Sequence, residues 1–332
     1  DGSAWTTGGT MGTARFTLAA AGTQTSALGF GGTGGTSSTE EYDGTSWSAG
    51  GNLNTARAGS GGCGTQTAAL AFGGLDGPGA TFNQATESYN GTSWTSLPAS
   101  MVGTARYLFG SAGTQTSALA FGGYRAPGSR DLTEEYDGTS WTAGGNLGTT
   151  RRVMGAAGTQ TSALTFGGVV GGSPDSNSTL EWDGSSWTVG GSLNTARQQL
   201  GGSGIQTAAL AFGGFTPGVT GATELYDGTS WTNNPTGLNT GRGYLGSAQS
   251  APQSAALGFG GYTTTALANT ETWDGTNWSS APPMATARSL LGGAGTQTAG
   301  LAFGGITTVN VANTEEFTGP QTTATASTLT TS

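Results

Sequence analysis

Arginine and glutamate recur at matching positions along the chain, and together they suggest either an anion-binding surface or a set of internal ion pairs. A guanidinium group can hold a carboxylate through two parallel hydrogen bonds, so both alternatives use the same chemistry. The recurring arginines are Arg15, Arg57, Arg106, Arg151, Arg197, Arg242 and Arg288. The recurring glutamates are Glu40, Glu87, Glu134, Glu224, Glu271 and Glu315.

Most catalytic chemistries are excluded by the residue types that the chain lacks. Histidine and lysine are both absent, which removes imidazole catalysis, Schiff-base chemistry and most transition-metal sites. The single cysteine, Cys63, rules out an internal disulfide and is explained most simply as a small buried thiol. Glycan hydrolysis by carboxylates alone is a weaker alternative, because no Asp/Glu pair outside the recurring positions indicates it. We therefore expect no enzyme, no cofactor and no metal site.

The composition excludes several further classes. Glycine accounts for 64 of 332 residues and charged residues for 9%, against about 7% and about 25% in average domains. Nine Trp, eight Tyr and twelve Phe are too many for a disordered chain. No run of about 18 apolar residues is present to insert in a membrane. A net charge of −9 without lysine disfavours nucleic acid as a partner.

One unit recurs seven times. It contains the arginine, an apolar segment, a double glycine, a variable segment, a Glu-x-Tyr-like segment and a tryptophan. The tryptophans are spaced by 42–47 residues. They are Trp5, Trp47, Trp94, Trp141, Trp187, Trp231 and Trp278.

Each unit predicts four extended segments, A to D, and no helix. Segment A is expected to start at the arginine and to turn at Gly-Thr-Gln into segment B, which is apolar enough to be buried on both faces. The double glycine ends B, where another backbone approaches closely. Asp-Gly, as in Asp43-Gly44, is a strong hairpin signal between C and D. Seven such units predict an all-β, seven-bladed β-propeller of four-stranded antiparallel blades.

The two ends of the chain each hold part of one unit. The chain begins with a hairpin tip and a D segment, and its last unit stops after segment C at Phe317. We therefore predict that the N-terminal strand completes the C-terminal blade, with Trp5 in the sheet that contains Phe317. A start at Asp1, in mid-unit and without Met, indicates a processed or excised fragment.

The order of arginine, apolar strand, Gly-Gly, variable loop, Glu-x-Tyr-Asp and Trp resembles the kelch repeat of the kelch and galactose-oxidase-like superfamily. The resemblance covers residues 1–319, which we expect to form one domain, and leaves 320–332 as a Thr/Ser-rich tail or linker. The Gly/Thr-rich units are also similar to those of bacteriophage tail or surface proteins, which implies an extracellular or virion-surface location. A copper oxidase of this superfamily needs histidine ligands, so its site cannot be built here.

Strand direction predicts one variable and one constant face. The variable face, called here the loop face, carries the start of A, the B–C loops and the D–A connections. The constant face, called here the hairpin face, carries the A–B turns and the C–D hairpins. The B–C loops differ in every unit, whereas GTQT and DGTSW barely change, as in scaffolds that recognise partners through one face. All ten arginines map to the loop face, together with six glutamates and three loop aspartates, for a net charge of +1. Six hairpin-tip aspartates give the other face a charge of −6, so we expect an electrically asymmetric molecule. The aromatic residues at the ends of segments C and the start of segments D could stack on sugars, but sevenfold recurrence favours packing between blades.

The recurring arginines leave two interpretations open. In kelch propellers matching arginines contact acidic partners at the channel mouth, so the resemblance implies an anion-binding ring. The nearly equal number of glutamates favours internal pairing instead. The fourth unit has Thr179 where the others have glutamate, so Arg151 or Arg197, together with the adjacent Arg152, is expected to form the sector most attractive to an acidic ligand.

Two classes of function fit these features better than an enzyme does. The first is an interaction or adhesion module, on a tail fibre, similar appendage or cell surface, that binds a protein or a surface glycan through the loop face. Its further candidate residues are aromatic rings and arginines of the kind common in binding hot spots: Phe82, Tyr124, Arg125, Arg130, Phe215 and Tyr262. The alternative is a structural decoration or assembly protein that contacts other virion or appendage subunits.

Overall fold

The protein is a seven-bladed β-propeller, as the sequence predicts. A computed structural model describes residues 3–76, 81–171, 175–248 and 251–320. In that part of the chain there is no helix, and seven four-stranded antiparallel sheets each follow the order A-B-C-D. The A strands of neighbouring blades contact one another in a closed circle, so they surround the axis. No helix capable of crossing a membrane is found among these residues.

Blades are numbered here by their A strands. Strands A are Ala19–Thr23, Gly61–Gly64, Gly110–Thr114, Gly155–Gly158, Gly201–Ile205, Gly246–Ser247 and Gly292–Gly295. Strands B are Ser26–Phe30, Ala69–Phe72, Ser117–Phe121, Ala163–Phe166, Ala208–Phe212, Ala256–Phe259 and Ala299–Phe303. Strands C are Thr39–Tyr42, Thr86–Tyr89, Thr133–Tyr136, Thr179–Trp182, Thr223–Tyr226, Thr270–Trp273 and Thr314–Thr318. Strands D are Trp47–Ala49, Trp94–Ser96, Trp141–Ala143, Trp187–Gly190, Trp231–Asn234, Trp278–Ala281 and, for blade seven, Ala4–Thr7.

The N-terminal strand closes the ring. Ala4–Thr7 pairs antiparallel with Thr314–Thr318, and Trp5 lies opposite Phe317. The predicted circular closure is therefore confirmed, and blade seven has the same four strands as the others. Residue 320 follows the last strand, and the rest of the predicted tail lies outside the described residues.

Strand A begins four residues after the recurring arginine rather than at it, because a left-handed residue intervenes. The residue two places after each arginine has φ between +49° and +58°. Its N–H donates to the carbonyl oxygen of the equivalent residue in the preceding blade, at N···O distances of 3.1–3.4 Å. Seven such bonds form a closed ring at the loop end of the A strands, through Thr17, Gly59, Leu108, Val153, Gln199, Tyr244 and Leu290.

The apolar core is divided into seven clusters, one in each wedge between neighbouring blades. The aromatic residues at the ends of strands C are 0–2% exposed. Each D-strand tryptophan donates its Nε1–H to a threonine Oγ1 at the start of strand C in the preceding blade, at 2.7–2.9 Å. The expectation that both aromatic columns pack between blades is therefore confirmed.

The constant sequences join neighbouring blades or close turns. The glutamine of each Gly-Thr-Gln turn donates to the backbone of the preceding blade; Gln66 Nε2, for example, lies 3.0 Å from the Ala27 oxygen and 2.6 Å from the Tyr42 oxygen. The double glycine lies against the next blade, where a Cβ on Gly31 would come within 2.5 Å of the Arg57 carbonyl oxygen. These residues repeat because every blade boundary requires the same contacts.

Candidate functional site

The recurring arginines lie inside the blades rather than around the channel mouth. All seven are 0–1% exposed, and six form ion pairs with the glutamates of strand C in the same blade. The nitrogen–oxygen distance is 2.5 Å in the Arg57–Glu87 pair and 3.1 Å in the Arg288–Glu315 pair. The interpretation as internal pairs therefore describes six blades, and no exposed ring of guanidinium groups remains.

Each paired glutamate also accepts two successive backbone N–H groups from the D–A connection. Glu87 accepts from Asn54 N at 2.6 Å and from Thr55 N at 3.1 Å. The other five glutamates bind the equivalent pair of N–H groups, at 2.5–2.9 Å and 3.2–3.3 Å. Because two dipoles and one cation point at each carboxylate, its buried charge is compensated from three sides.

Blade four lacks the glutamate, and the structure corrects two details of the prediction. The residue in the glutamate position is Leu180, since Thr179 aligns with the threonine that begins every strand C. Arg197 is not short of a partner, because it pairs with Glu224 at 3.0 Å. Arg151 alone among the recurring arginines has no ion pair within the described residues, and its Nη2 donates instead to Ser178 Oγ at 2.7 Å. Burial lowers the pKa of Arg151 to about 10, which leaves it charged at neutral pH.

Five side chains from blades two to four form a continuous line on the loop face, called here the aromatic–arginine cluster: Phe82, Tyr107, Tyr124, Arg125 and Arg152. The Arg125 guanidinium carbon lies 5.6 Å from the Phe82 ring centre, and Phe82 lies 6.0 Å from Tyr107. Tyr107 meets Tyr124 edge to face at 5.8 Å. Arg152 lies 4.9 Å from the Tyr124 ring centre. All five side chains are partly exposed, so a partner could reach them.

Short β ladders on the loop face of three consecutive blades position this cluster. Leu75–Asp76 pairs with Thr81–Phe82 in blade two, and Tyr124–Arg125 pairs with Gly128–Ser129 in blade three. Arg151–Arg152 pairs with Val169–Val170 in blade four, and Arg152 Nη1 donates to Ser129 Oγ at 3.0 Å. The loops are therefore extensions of the blades and hold the rings in place before any partner arrives.

The other candidates lie apart from the cluster or at its edge. Arg130 donates to the Gly128 and Ser129 carbonyl oxygens at 3.1 Å and makes no ring contact within the described residues. Phe215 forms a separate edge-to-face pair with Tyr244 at 5.4 Å. Tyr262 is 37% exposed on blade six. The candidate residues predicted from the sequence therefore lie in two separate parts of the loop face. Of these candidates, the cluster contains Phe82, Tyr124, Arg125 and Arg152.

Tyr107 is the cluster residue that the sequence criteria missed. It links Phe82 to Tyr124, but it follows the recurring Arg106 and does not belong to a B–C loop. The position after the recurring arginine also differs in every unit, as Phe16, Ala58, Tyr107, Arg152, Gln198, Gly243 and Ser289. Its variation among the units is the same signal that marks the B–C loops and points to Tyr107.

The predicted charge asymmetry comes from the hairpin tips. Because the six ion pairs cancel, the remaining loop-face charges are the buried Arg151, three further arginines, Arg125, Arg130 and Arg152, and three loop aspartates, Asp76, Asp131 and Asp175. The described hairpin-tip aspartates are exposed and each accepts two backbone N–H groups, which lowers their pKa values. The hairpin face is thus acidic, while the loop face carries charges of both signs.

The channel along the axis offers little chemistry. Its cavity of 520 Å³ is lined by Gly, Ala, Ser and Cys63 of the A strands and by Leu18, Ser60 and Leu291 immediately before them. The Cys63 thiol donates to the Thr114 carbonyl oxygen at 3.1 Å, and burial raises its pKa to about 12. Among the described residues no group of three His, Cys, Asp or Glu side chains could hold a metal ion.

No family model matches the chain, and the search of curated proteins finds no relative.

Proposed function

We propose that the protein is a non-enzymatic recognition module that binds a protein or a surface glycan through the aromatic–arginine cluster of its loop face. One observation carries this proposal: side chains from two B–C loops and two D–A connections, in three consecutive blades, form one continuous line of rings and guanidinium groups. The opposite face is more uniform, with Gly-Thr-Gln in five of the seven A–B turns. Variation on one face of a rigid scaffold is the usual arrangement of a binding protein.

The cluster has the chemistry of a binding hot spot. Tyrosine provides a large contact area with only two rotatable side-chain bonds, arginine provides a planar group of hydrogen-bond donors, and both are enriched where most of the binding free energy resides. Here Tyr124 is already held between Tyr107 and Arg152, and Arg152 is held by Ser129. Because these side chains are ordered before binding, little conformational entropy would be lost on association.

The order of markers within each unit supports a kelch-type propeller. The Gly/Thr-rich units without lysine support a place on a virion, such as a tail fibre, or on a cell surface. In that setting the loop face would serve attachment, and the hairpin face would point away from the partner.

Binding to an array of glycans and of candidate surface proteins tests the proposal. The variant Tyr124→Ala should weaken binding about 30-fold, because loss of a hot-spot side chain costs about 2 kcal/mol or more. Phe215→Ala is the matched control, since it removes one ring of a similar edge-to-face pair in blade five. Both variants should retain the melting behaviour of the parent protein, which separates lost recognition from lost folding.

A structural decoration or assembly protein is the competing function. If no array component binds, or if Tyr124→Ala and Phe215→Ala bind equally well, the cluster is not a recognition site. The closed ring of blades would then serve as a rigid body attached to other virion or appendage subunits, and cross-linking in the assembled particle would identify them.

A further inference from the structure

Six blades contain the same small carboxylate site. In blade five, the Glu224 carboxylate accepts the N–H groups of Asn194 at 2.5 Å and Thr195 at 3.2 Å. Arg197 approaches the same carboxylate at 3.0 Å. Two backbone dipoles and one guanidinium group thus surround a single anionic group in each of these blades.

Blade four keeps the donors of this site and lacks the carboxylate. Gly148 and Thr149 follow Leu147 as Asn194 and Thr195 follow Leu193, and Arg151 stands two residues further on. Within the described part of the chain, the N–H groups of Gly148 and Thr149 have no acceptor. Arg151 is fully buried, and all its hydrogen-bond acceptors are neutral.

The residue that replaces the glutamate offers no oxygen to these donors, since Leu180 is buried in the apolar cluster that also contains Phe121 and Leu147. Leucine branches at Cγ and ends where a glutamate has its Cδ, so Leu180 does not supply the two carboxylate oxygens. Gly148 and Thr149 are exposed, and a Cβ built on Gly148 would meet no atom within 4 Å. Both donor residues therefore lie at the surface, and the buried Arg151 reaches the same connection from inside, with its Nη2 3.4 Å from Thr149 Oγ1.

The backbone at the donor residues differs from that of the other blades. Gly148 has φ of +72°. In the five other blades whose first donor residue also lies three positions before the recurring arginine, that residue does not have a positive φ. These five residues are Gly12, Asn54, Asn194, Asn239 and Ala285. Glycine adopts both conformations at little cost, so the segment can turn its N–H groups toward an anion when one arrives.

We propose that blade four binds a small monovalent carboxylate between the N–H groups of Gly148 and Thr149 and the guanidinium group of Arg151. The bound anion takes the place of the missing glutamate and compensates a buried cation that has no counter-charge. The ligand is either a free small acid or the carboxylate tip of a larger molecule. This proposal does not depend on the proposed function, because the cluster rings take no part in the site.

The test is thermal unfolding of the full chain in chloride-free buffer with increasing sodium formate. The parent protein should show a saturable rise in Tm of about 2–4 °C at formate concentrations about tenfold above Kd. Leu180→Glu, which supplies its own carboxylate, and Arg151→Met, which removes the cation, should lose this rise. Glu87→Leu copies the arrangement of blade four in blade two and should gain a second formate-dependent rise.

Backbone NMR provides the second measurement. Formate should shift the amide resonances of Gly148 and Thr149 in the parent protein and not in Leu180→Glu. Equal responses of parent and Leu180→Glu, or no response of the parent, would overturn the proposal even if Glu87→Leu does not fold. Replacing formate by acetate and then by glucuronate distinguishes the ligand sources: affinity that falls steeply with size indicates a free small acid, and affinity that is retained indicates the tip of a larger ligand.

Discussion

Carboxylates accept pairs of backbone N–H groups in two regions of the propeller, one buried and one exposed. On the loop side, Glu87 accepts from Asn54 and Thr55 while it pairs with the buried Arg57. On the hairpin side, Asp137 accepts from Thr139 N at 2.8 Å and Ser140 N at 2.7 Å. The bonding pattern is nearly the same, but Glu87 is 0% exposed and Asp137 lies in solvent.

The tolerance of each region to substitution reflects this difference. Blade two has Asn90 in place of the tip aspartate, and its Oδ1 accepts the same two N–H groups at 3.0 and 2.9 Å. The absence of the buried glutamate in blade four has larger consequences, because the acceptors of Arg151 are then all neutral and its buried charge has no counter-charge within the described residues. Burial therefore decides how much each carboxylate contributes, since water replaces a lost partner only in the exposed region.

The largest effect is expected from breaking a buried pair. Glu87→Gln should lower the free energy of unfolding by about 3–5 kcal/mol, because it leaves the buried Arg57 uncompensated. Unfolding of parent and variant by guanidinium chloride measures this change. The double variant Glu87→Leu with Arg57→Met removes both charges and should recover most of the loss; a double variant as unstable as Glu87→Gln would contradict the explanation.

Removal of the recurring arginine should have a larger effect on stability in blade two than in blade four. Arg57→Met leaves Glu87 buried without its cation and should cost about 3–5 kcal/mol. Arg151→Met removes a cation that has no counter-charge and should change the free energy of unfolding by less than about 1 kcal/mol, in either direction. Both variants carry the same Arg-to-Met replacement. The difference between their free energies of unfolding, measured in guanidinium chloride, therefore reports the effect of the glutamate partner. Equal losses would show that packing, not charge, holds these side chains.

The sequence was sufficient for the architecture because every blade boundary uses the same residues. The Trp, Gly-Gly and Asp-Gly positions revealed the unit, and the split unit at the ends revealed the closure. The site was harder to predict, because side chains alternate along a strand and a shift of one residue reverses their direction. The prediction placed Thr179 where Leu180 stands, and it missed Tyr107, whose partner Phe82 comes from a different blade.

Supplying the missing glutamate should stabilise blade four. Leu180→Glu places a carboxylate between Arg151 and the N–H groups of Gly148 and Thr149, and hydrogen bonds to a charged group contribute about 1.5–3 kcal/mol. The lost contacts of Leu180 offset part of this gain, so a net increase of about 1 kcal/mol is expected. Thermal and guanidinium unfolding measure it. A decrease in stability would mean that the leucine packing outweighs the restored pair.

The smallest effect is expected at the hairpin tip. The Thr139 and Ser140 donors lower the pKa of Asp137 to about 2, below the value of about 3.9 in an unfolded chain. Asp137 therefore stabilises the fold at pH values above its pKa in the unfolded chain, and this contribution is lost as the pH falls through about 2.

Asp137→Asn copies the tip of blade two and cannot titrate, so its acid unfolding below pH 4 should be slightly less steep than that of the parent. At neutral pH the two proteins should differ far less than Glu87→Gln differs from the parent, since the Asp137 side chain is screened by water. Unfolding followed by fluorescence between pH 2 and pH 7 measures both differences, and a large loss at neutral pH would show that solvent exposure does not weaken this interaction.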